Sequence, residues 1–233
     1  MPRLPLIENL TRLPVPFGSN ILVEFDPASQ WFNACLTILA GWLKSSGTAT
    51  YFLSARPPDN LRIQIDRLGL DAKDLESKDK LQIWDFYSAT LGQKSKEKYG
   101  FDSLKVADLS IVISRGVMHG SVSPNHIFLR ENFSTLFRFN DEKSSLEYLL
   151  TRALPAATLT KSTSIHGITT GVHSDWVYKQ LEAAVEGVLD LKVEEVEGEA
   201  RNIIRIRKML NAPFDSRWHT LKVGDNFEVS LEK

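Results

Sequence analysis

A single cysteine in 233 residues, Cys35, excludes a disulfide framework and a cysteine-based zinc site within one chain. Its place among apolar residues at helical spacing makes it a small buried hydrophobe. No stretch of about eighteen uninterrupted apolar residues occurs, which excludes a membrane-spanning helix and implies no membrane partner. The opening segment MPRLPLIENL has neither the apolar run nor the small-residue cleavage site of a secretory signal, so a cytoplasmic location is expected. The formal net charge is −1, which leaves nucleic acid only a local basic patch to bind, with no whole-chain attraction. His119, His126, His166, His173 and His219 are scattered and form no H-x-x-x-H pair, so no metal site is expected. No G-x-S-x-G elbow precedes a helix, and serine hydrolase chemistry has no anchor.

What is present is an alternation of strands and helices. Residues 18–40 read as a buried strand (20–24), a tight loop and an apolar helix (31–44) with Phe32, Cys35, Leu36, Leu39 and Leu43 at helical spacing. The β-branched and aromatic run 48–53 predicts a second strand, and Pro57-Pro58 ends it before a helix over 59–68. Further strands are predicted at 81–84, 126–129, 157–170 and 188–193, with helices at 142–153 and 176–185. Residues 93–99 form a charge run expected on a solvated surface, and 109–114 fits a helix or a strand. Apolar and polar residues alternate over 203–209 and 218–223, as in antiparallel strands with one wet face. The fold class is therefore α/β: one domain over 1–233, with 1–17 as a proline-punctuated lead-in. It has a mainly parallel sheet, helices on both faces, and a C-terminal antiparallel hairpin extension. Trp42, Trp84, Trp176 and Trp218 are expected in the core or at an interface, Trp218 being the interface candidate.

A strand that runs through a loop into an apolar helix is where many α/β proteins hold phosphate. In the loop pattern G-x-x-x-x-G-K-[ST], glycines turn backbone N–H groups onto the phosphates, the lysine neutralises charge, and the hydroxyl holds Mg²⁺. Residues 25–32 offer Phe25, Asp26, Pro27, Ala28, Ser29, Gln30, Trp31 and Phe32. Phe25 and Gln30 replace both glycines, Trp31 stands at the lysine position, and Phe32 stands at the hydroxyl position. An indole carries no cation and a phenyl ring ligates no metal. Trp31 is expected to fill a phosphate cavity rather than line one.

With these residues the chain resembles the RecA-like ATPases of the KaiC and archaeal RadA-paralogue type along nearly its whole length. The strand and loop ILVEFDPAS resemble that family's hydrophobic strand and D-P-G-S-G-K-T loop. SARPPDNL (54–61) with Arg67-Leu68-Gly69 resembles the segment after its second strand. Gly171-Val172-His173-Ser174 followed by Glu186-Gly187-Val188 resembles its G-x-H-S and D-G-V-I features, and Lys208-Met209 its terminal K-M-R hairpin.

Departures from the family pattern bear on activity. The glutamate that activates water in such enzymes falls near Ala55 or Arg56, and neither is a general base at neutral pH. Glu131 best matches the Mg²⁺-supporting aspartate of Walker B, with an unusual Arg130 beside it. Leu210 replaces the hairpin arginine. The resemblance with these losses implies a catalytically inactive RecA/KaiC-like pseudo-ATPase, without cofactor, acting as a regulatory or structural binding protein. Its partners would be copies of itself or RecA-fold relatives. A second possibility is a RadA-paralogue-like accessory protein of recombination or repair. It would bind single-stranded DNA through Arg205, Arg207, Lys208 and Arg217, part of the basic cluster that also holds Arg201. Glu194, Glu195, Glu197 and Glu199 across the hairpin would instead pair with those arginines. A third is residual binding of ATP and Mg²⁺ without efficient hydrolysis, opposed by an acidic loop that lacks lysine.

Overall fold

A computed structural model describes residues 4–111 and 125–232. After a short helix α1 (Ile7–Leu10), the chain enters strand β1 (Asn20–Phe25) and turns into helix α2 (Trp31–Lys44). Then come β2 (Thr48–Leu53), α3 (Pro58–Arg67), α4 (Ala72–Ser77), β3 (Leu81–Asp85), α5 (Tyr87–Thr90), a two-residue strand β4 (Tyr99–Gly100) and a helical segment α6 (106–111). The second half runs through β5 (His126–Arg130), α7 (Ser134–Phe137), α8 (Glu142–Tyr148), a π-helical turn (Leu149–Ala153) and α9 (Leu154–Thr160). It ends with β6 (Thr163–Thr169), α10 (Asp175–Ala184), β7 (Gly187–Val196), β8 (Glu199–Met209), β9 (His219–Val223) and β10 (Val229–Leu231).

All described strands join one ten-stranded sheet in the order β10-β9-β8-β7-β1-β6-β5-β2-β3-β4. Pairings from β4 across to β7 are parallel, and those from β7 to β10 are antiparallel. The expected class is thus the observed one: a mostly parallel sheet with an antiparallel extension at one edge. Successive strand residues point to opposite faces. Ile21 and Val23 of β1 therefore pack in one core with Ala34, Cys35, Ile38, Leu39 and Trp42 of α2, while Leu22 packs in the other with Leu149, Val177 and Leu181. Every residue of β1 except Glu24 is buried, as a central parallel strand covered on both faces requires. Each fully buried Leu or Ile in these cores contributes about 1.5–3 kcal/mol. Helix α2 stops where Ser46 takes φ 67° and Gly47 lies against the Trp42 indole, too close to admit a Cβ.

One expectation needs correction. Residues 157–170 are not one strand: 157–160 complete α9, and the strand begins at Thr163. Pro155 directly follows the π-helical turn, in a backbone that stays helical from α8 through α9. Thr160 Oγ1 folds back onto the Ala156 carbonyl (2.8 Å), and Lys161 ends the helix in the left-handed region at φ 55°. The β-branched composition of ATLT was thereby overridden. The charge run 93–99 lies on the surface as expected, with Lys94, Lys96 and Lys98 exposed. Glu97 pairs with Arg62, which also holds Glu76, and Tyr99 begins the edge strand β4. Of the segment 109–114, residues 109–111 are helical and 112–114 lie outside the described residues, as does His119.

Candidate functional site

Because β1, β2, β5 and β6 run parallel, their carboxyl ends meet at one rim of the sheet, the usual place for ligands in open α/β folds. The loop after β1 was the sequence's phosphate candidate. A phosphate cradle needs free backbone N–H groups turned inward. Here Asp26 N donates to Leu191 O (2.9 Å), Ala28 N to Asp26 Oδ1 (2.7 Å), Ser29 N to Asp26 O (2.9 Å) and Gln30 N to Asn202 Oδ1 (2.8 Å). Pro27 has no N–H to offer. Gln30 turns its amide oxygen to Asn33 Nδ2 (2.7 Å), and Ser29 Oγ is buried without a hydrogen-bond partner. The amides of Asp26, Ala28, Ser29 and Gln30 already have acceptors, the loop's one charge is acidic, and it offers a triphosphate with Mg²⁺ no cation.

Trp31, the first residue of α2, is 3 % exposed. Its ring stacks on Phe25 (centroids 5.8 Å, interplanar 25°), and its Nε1 donates to the Glu131 carbonyl at 2.7 Å. Gly167 of β6 lies under this contact. A Cβ there would overlap both the Glu131 carbonyl oxygen and the indole, so only glycine lets the strand pass. The next residue, Phe32, carries the Arg56 guanidinium over its face at 3.1 Å. Arg56 Nη2 then reaches Glu131 Oε1 at 3.4 Å. Burial raises the Glu131 carboxyl to about 7, against the pull of Arg56. Arg56 and Glu131, the residues the sequence matched to the water-activating and Walker B positions, are thus in contact. Cys35 and Tyr51 lie buried beside this pair, and burial raises both their pKa values. Four positions singled out from sequence (Trp31, Phe32, Arg56 and Glu131) are therefore brought into contact.

No protein-family model and no curated protein matches the sequence. Among solved structures, the KaiC-like protein PH0186 from the hyperthermophilic archaeon Pyrococcus horikoshii OT3 is similar over 100% of this chain and 97% of its own. The two share 17% identity and superpose with a TM-score of 0.76. The chain has a KaiC-like, RecA-type fold. At that identity the likeness speaks for architecture alone.

In this KaiC-like frame an open cleft of about 650 Å³ lies beside the loop, lined by Ser54, Ala55, Asn132, Ser134, Thr169 and His173 among others. His173 Nε2 and Ser134 Oγ are 2.8 Å apart, and Ser134 Oγ also accepts from Thr169 N (3.0 Å). Burial keeps His173 below its ordinary range. Glu142 stands 3.9 Å from its Nδ1, but both carboxylate oxygens accept from Ser174, N at 3.0 Å and Oγ at 2.7 Å. The serine oxygen already accepts a bond and the carboxylate is occupied by Ser174, so this network ties loop 131–134 and α8 to loop 170–174. Among the described residues no cluster of His, Cys, Asp or Glu could hold a metal ion.

The basic residues of the hairpin extension lie apart from this rim chemistry. Arg205 and Arg207 do share a face of β8, as alternation predicts. Their partners, however, are not the hairpin glutamates: Arg205 Nε binds Asp190 Oδ2 (2.8 Å), and Arg207 reaches Glu24 (2.9 Å), Glu182 (2.9 Å) and Asp190 (3.2 Å). Lys208 Nζ donates to the carbonyls of Glu182 and Val185, both at 2.7 Å, and Arg217 is paired with Asp215. Only Arg201 pairs with a hairpin glutamate, Glu199 (3.7 Å). The partners of Arg205 and Arg207 come instead from the adjacent strand β7 (Asp190), from β1 beyond it (Glu24) and from α10 (Glu182). Trp218 is half-buried under Lys192 and Arg205, at 4.6 and 4.4 Å.

Proposed function

We propose that this chain is a RecA-type domain that neither hydrolyses nor requires ATP and that acts by binding another protein, either a second copy or a RecA-fold relative. The carrying observation is the position of Trp31: a buried indole, bonded to the Glu131 carbonyl, at the start of the helix where a P-loop has its lysine. Three further features support the reading. The amides of Asp26, Ala28, Ser29 and Gln30 already have acceptors, Arg56 occupies Glu131, and the nearest residues to the water-activating position offer no base. A protein–protein role is supported by the apolar side chains left at the rim, Val172 at 56% and Trp176 at 49% exposed. The pairing of Arg205, Arg207 and Arg217 with carboxylates leaves a nucleic-acid reading without a favouring observation.

Isothermal titration with ATP and Mg²⁺ tests the proposal. No saturable heat is expected up to millimolar nucleotide. Micromolar binding accompanied by turnover that Glu131→Gln abolishes would overturn it.

A further inference from the structure

Arg130, the last residue of β5, is 5% exposed and faces the core opposite α2. Its guanidinium lies 4.3 Å from the ring centroid of Phe52, 5.4 Å from Phe128 and 6.0 Å from Phe133. Its hydrogen bond to protein is a long one, from Nη1 to Ser164 Oγ at 3.5 Å. Among the described residues no carboxylate pairs with it. Glu131, next in sequence, gives its Oε1 to Arg56. Residues 1–3 and 112–124 contain neither Asp nor Glu. Of the other titratable groups nearby, Glu131 also lines the cavity but is drawn to Arg56, and the rest give no negative charge. His126 and His166 are held neutral by burial and by the arginine itself, and burial raises the Tyr148 hydroxyl to about 12.

Burial lowers Arg130 only to about 10, so it remains charged at neutral pH. A buried, charged guanidinium without a counter-ion is costly, and aromatic faces offset only part of that cost. The side chain also faces space. A cavity of about 40 Å³ is lined by Arg130, Glu131 and Tyr148 with Phe52, Phe86 and Phe133 among others. That is room for about three waters, enough for a small polyatomic anion. A guanidinium presents a planar fork of donors that matches a carboxylate, and the surrounding rings suit an alkyl group.

We infer that this cavity is a binding site for a short-chain monocarboxylate, such as propionate, held by Arg130 with its chain among the aromatic rings. The inference does not depend on the state of the Trp31 loop, which packs in the opposite core.

The test is ¹⁹F NMR of trifluoroacetate with the full chain, at constant ionic strength. Wild type should broaden the resonance, and propionate should restore the sharp line while equimolar chloride does not. Arg130→Met should weaken apparent affinity about tenfold or more, as loss of hydrogen bonds to a charged group implies. Leu136→Trp, which fills the cavity from its wall and leaves Arg130 in place, should abolish the broadening. If circular dichroism shows Arg130→Met unfolded, Leu136→Trp alone decides. Absence of broadening with wild type, equal displacement by chloride, or unchanged broadening with a folded variant would overturn the inference.

Discussion

Replacing Trp31 with alanine is the perturbation with the largest calculable consequence. The indole is 3 % exposed, stacks on Phe25, and donates to the Glu131 carbonyl at 2.7 Å. Truncating a buried tryptophan to alanine costs about 3–5 kcal/mol, and orphaning the buried carbonyl adds about 1 kcal/mol. Trp31→Phe keeps most of the ring contact and loses the hydrogen bond, so it should cost about 1–2 kcal/mol. For a chain of this length each kcal/mol moves Tm by roughly 2–4 °C, which puts Trp31→Ala roughly 10 °C or more below wild type. Urea unfolding followed by circular dichroism measures both variants, with unchanged m-values showing that the unfolded state is not the cause. Trp31→Ala should not gain affinity for ATP, because the amides of Asp26, Ala28, Ser29 and Gln30 keep their acceptors and the loop still lacks a cation. A loss below about 1 kcal/mol for Trp31→Ala, far under the usual range, would refute the role of the indole as a packing element.

Two further predictions concern the residues around it. Gly167→Ala places a methyl group against the Glu131 carbonyl and the indole, and the carbonyl belongs to the backbone, so the strand must shift. A cost of about 2 kcal/mol or more is expected by thermal unfolding, and a neutral result would contradict the close approach. Glu131 gives a pH signature. Burial raises its carboxyl to about 7 in the folded chain, above its ordinary value of 4.5, so the folded state holds that proton more tightly. That stabilisation is complete below pH 4.5 and disappears as pH rises through 7. Glu131→Gln, which has nothing to ionise, should therefore gain on wild type between pH 5 and pH 8, by on the order of 3 kcal/mol in urea unfolding. A difference between the two proteins that does not vary with pH would contradict the burial of a titrating carboxyl.

The architecture was legible because its signals are local. Apolar spacing placed α2, alternation placed β8 and β9, and Pro57-Pro58 marked the end of β2. The misread stretch at 157–170 shows the limit. Its threonines favour a strand by propensity, whereas continuity with the preceding π turn carries the helix through Pro155. The altered loop was visible in sequence through Phe25, Gln30, Trp31 and Phe32, and so was the unusual pairing of Arg130 with Glu131 as neighbours. What composition could not show is long-range contact. Arg56 bridging Phe32 and Glu131, Asn202 capping the loop at Gln30, and Glu24 capturing Arg207 each join residues far apart in the chain. The hairpin glutamates were near the arginines in sequence, but β7, β1 and α10 supplied the partners of Arg205 and Arg207.

The most direct measurement of the central claim is the ¹H–¹⁵N resonance of the Trp31 indole, assigned by its loss in Trp31→Phe, during titration with ATP and Mg²⁺. An indole that fills the place of a phosphate cradle and holds the Glu131 carbonyl should keep its chemical shift and exchange slowly with solvent at millimolar nucleotide. A saturable shift with a micromolar midpoint, together with faster exchange of that proton, would mean that the indole gives way to nucleotide and that the loop still binds it.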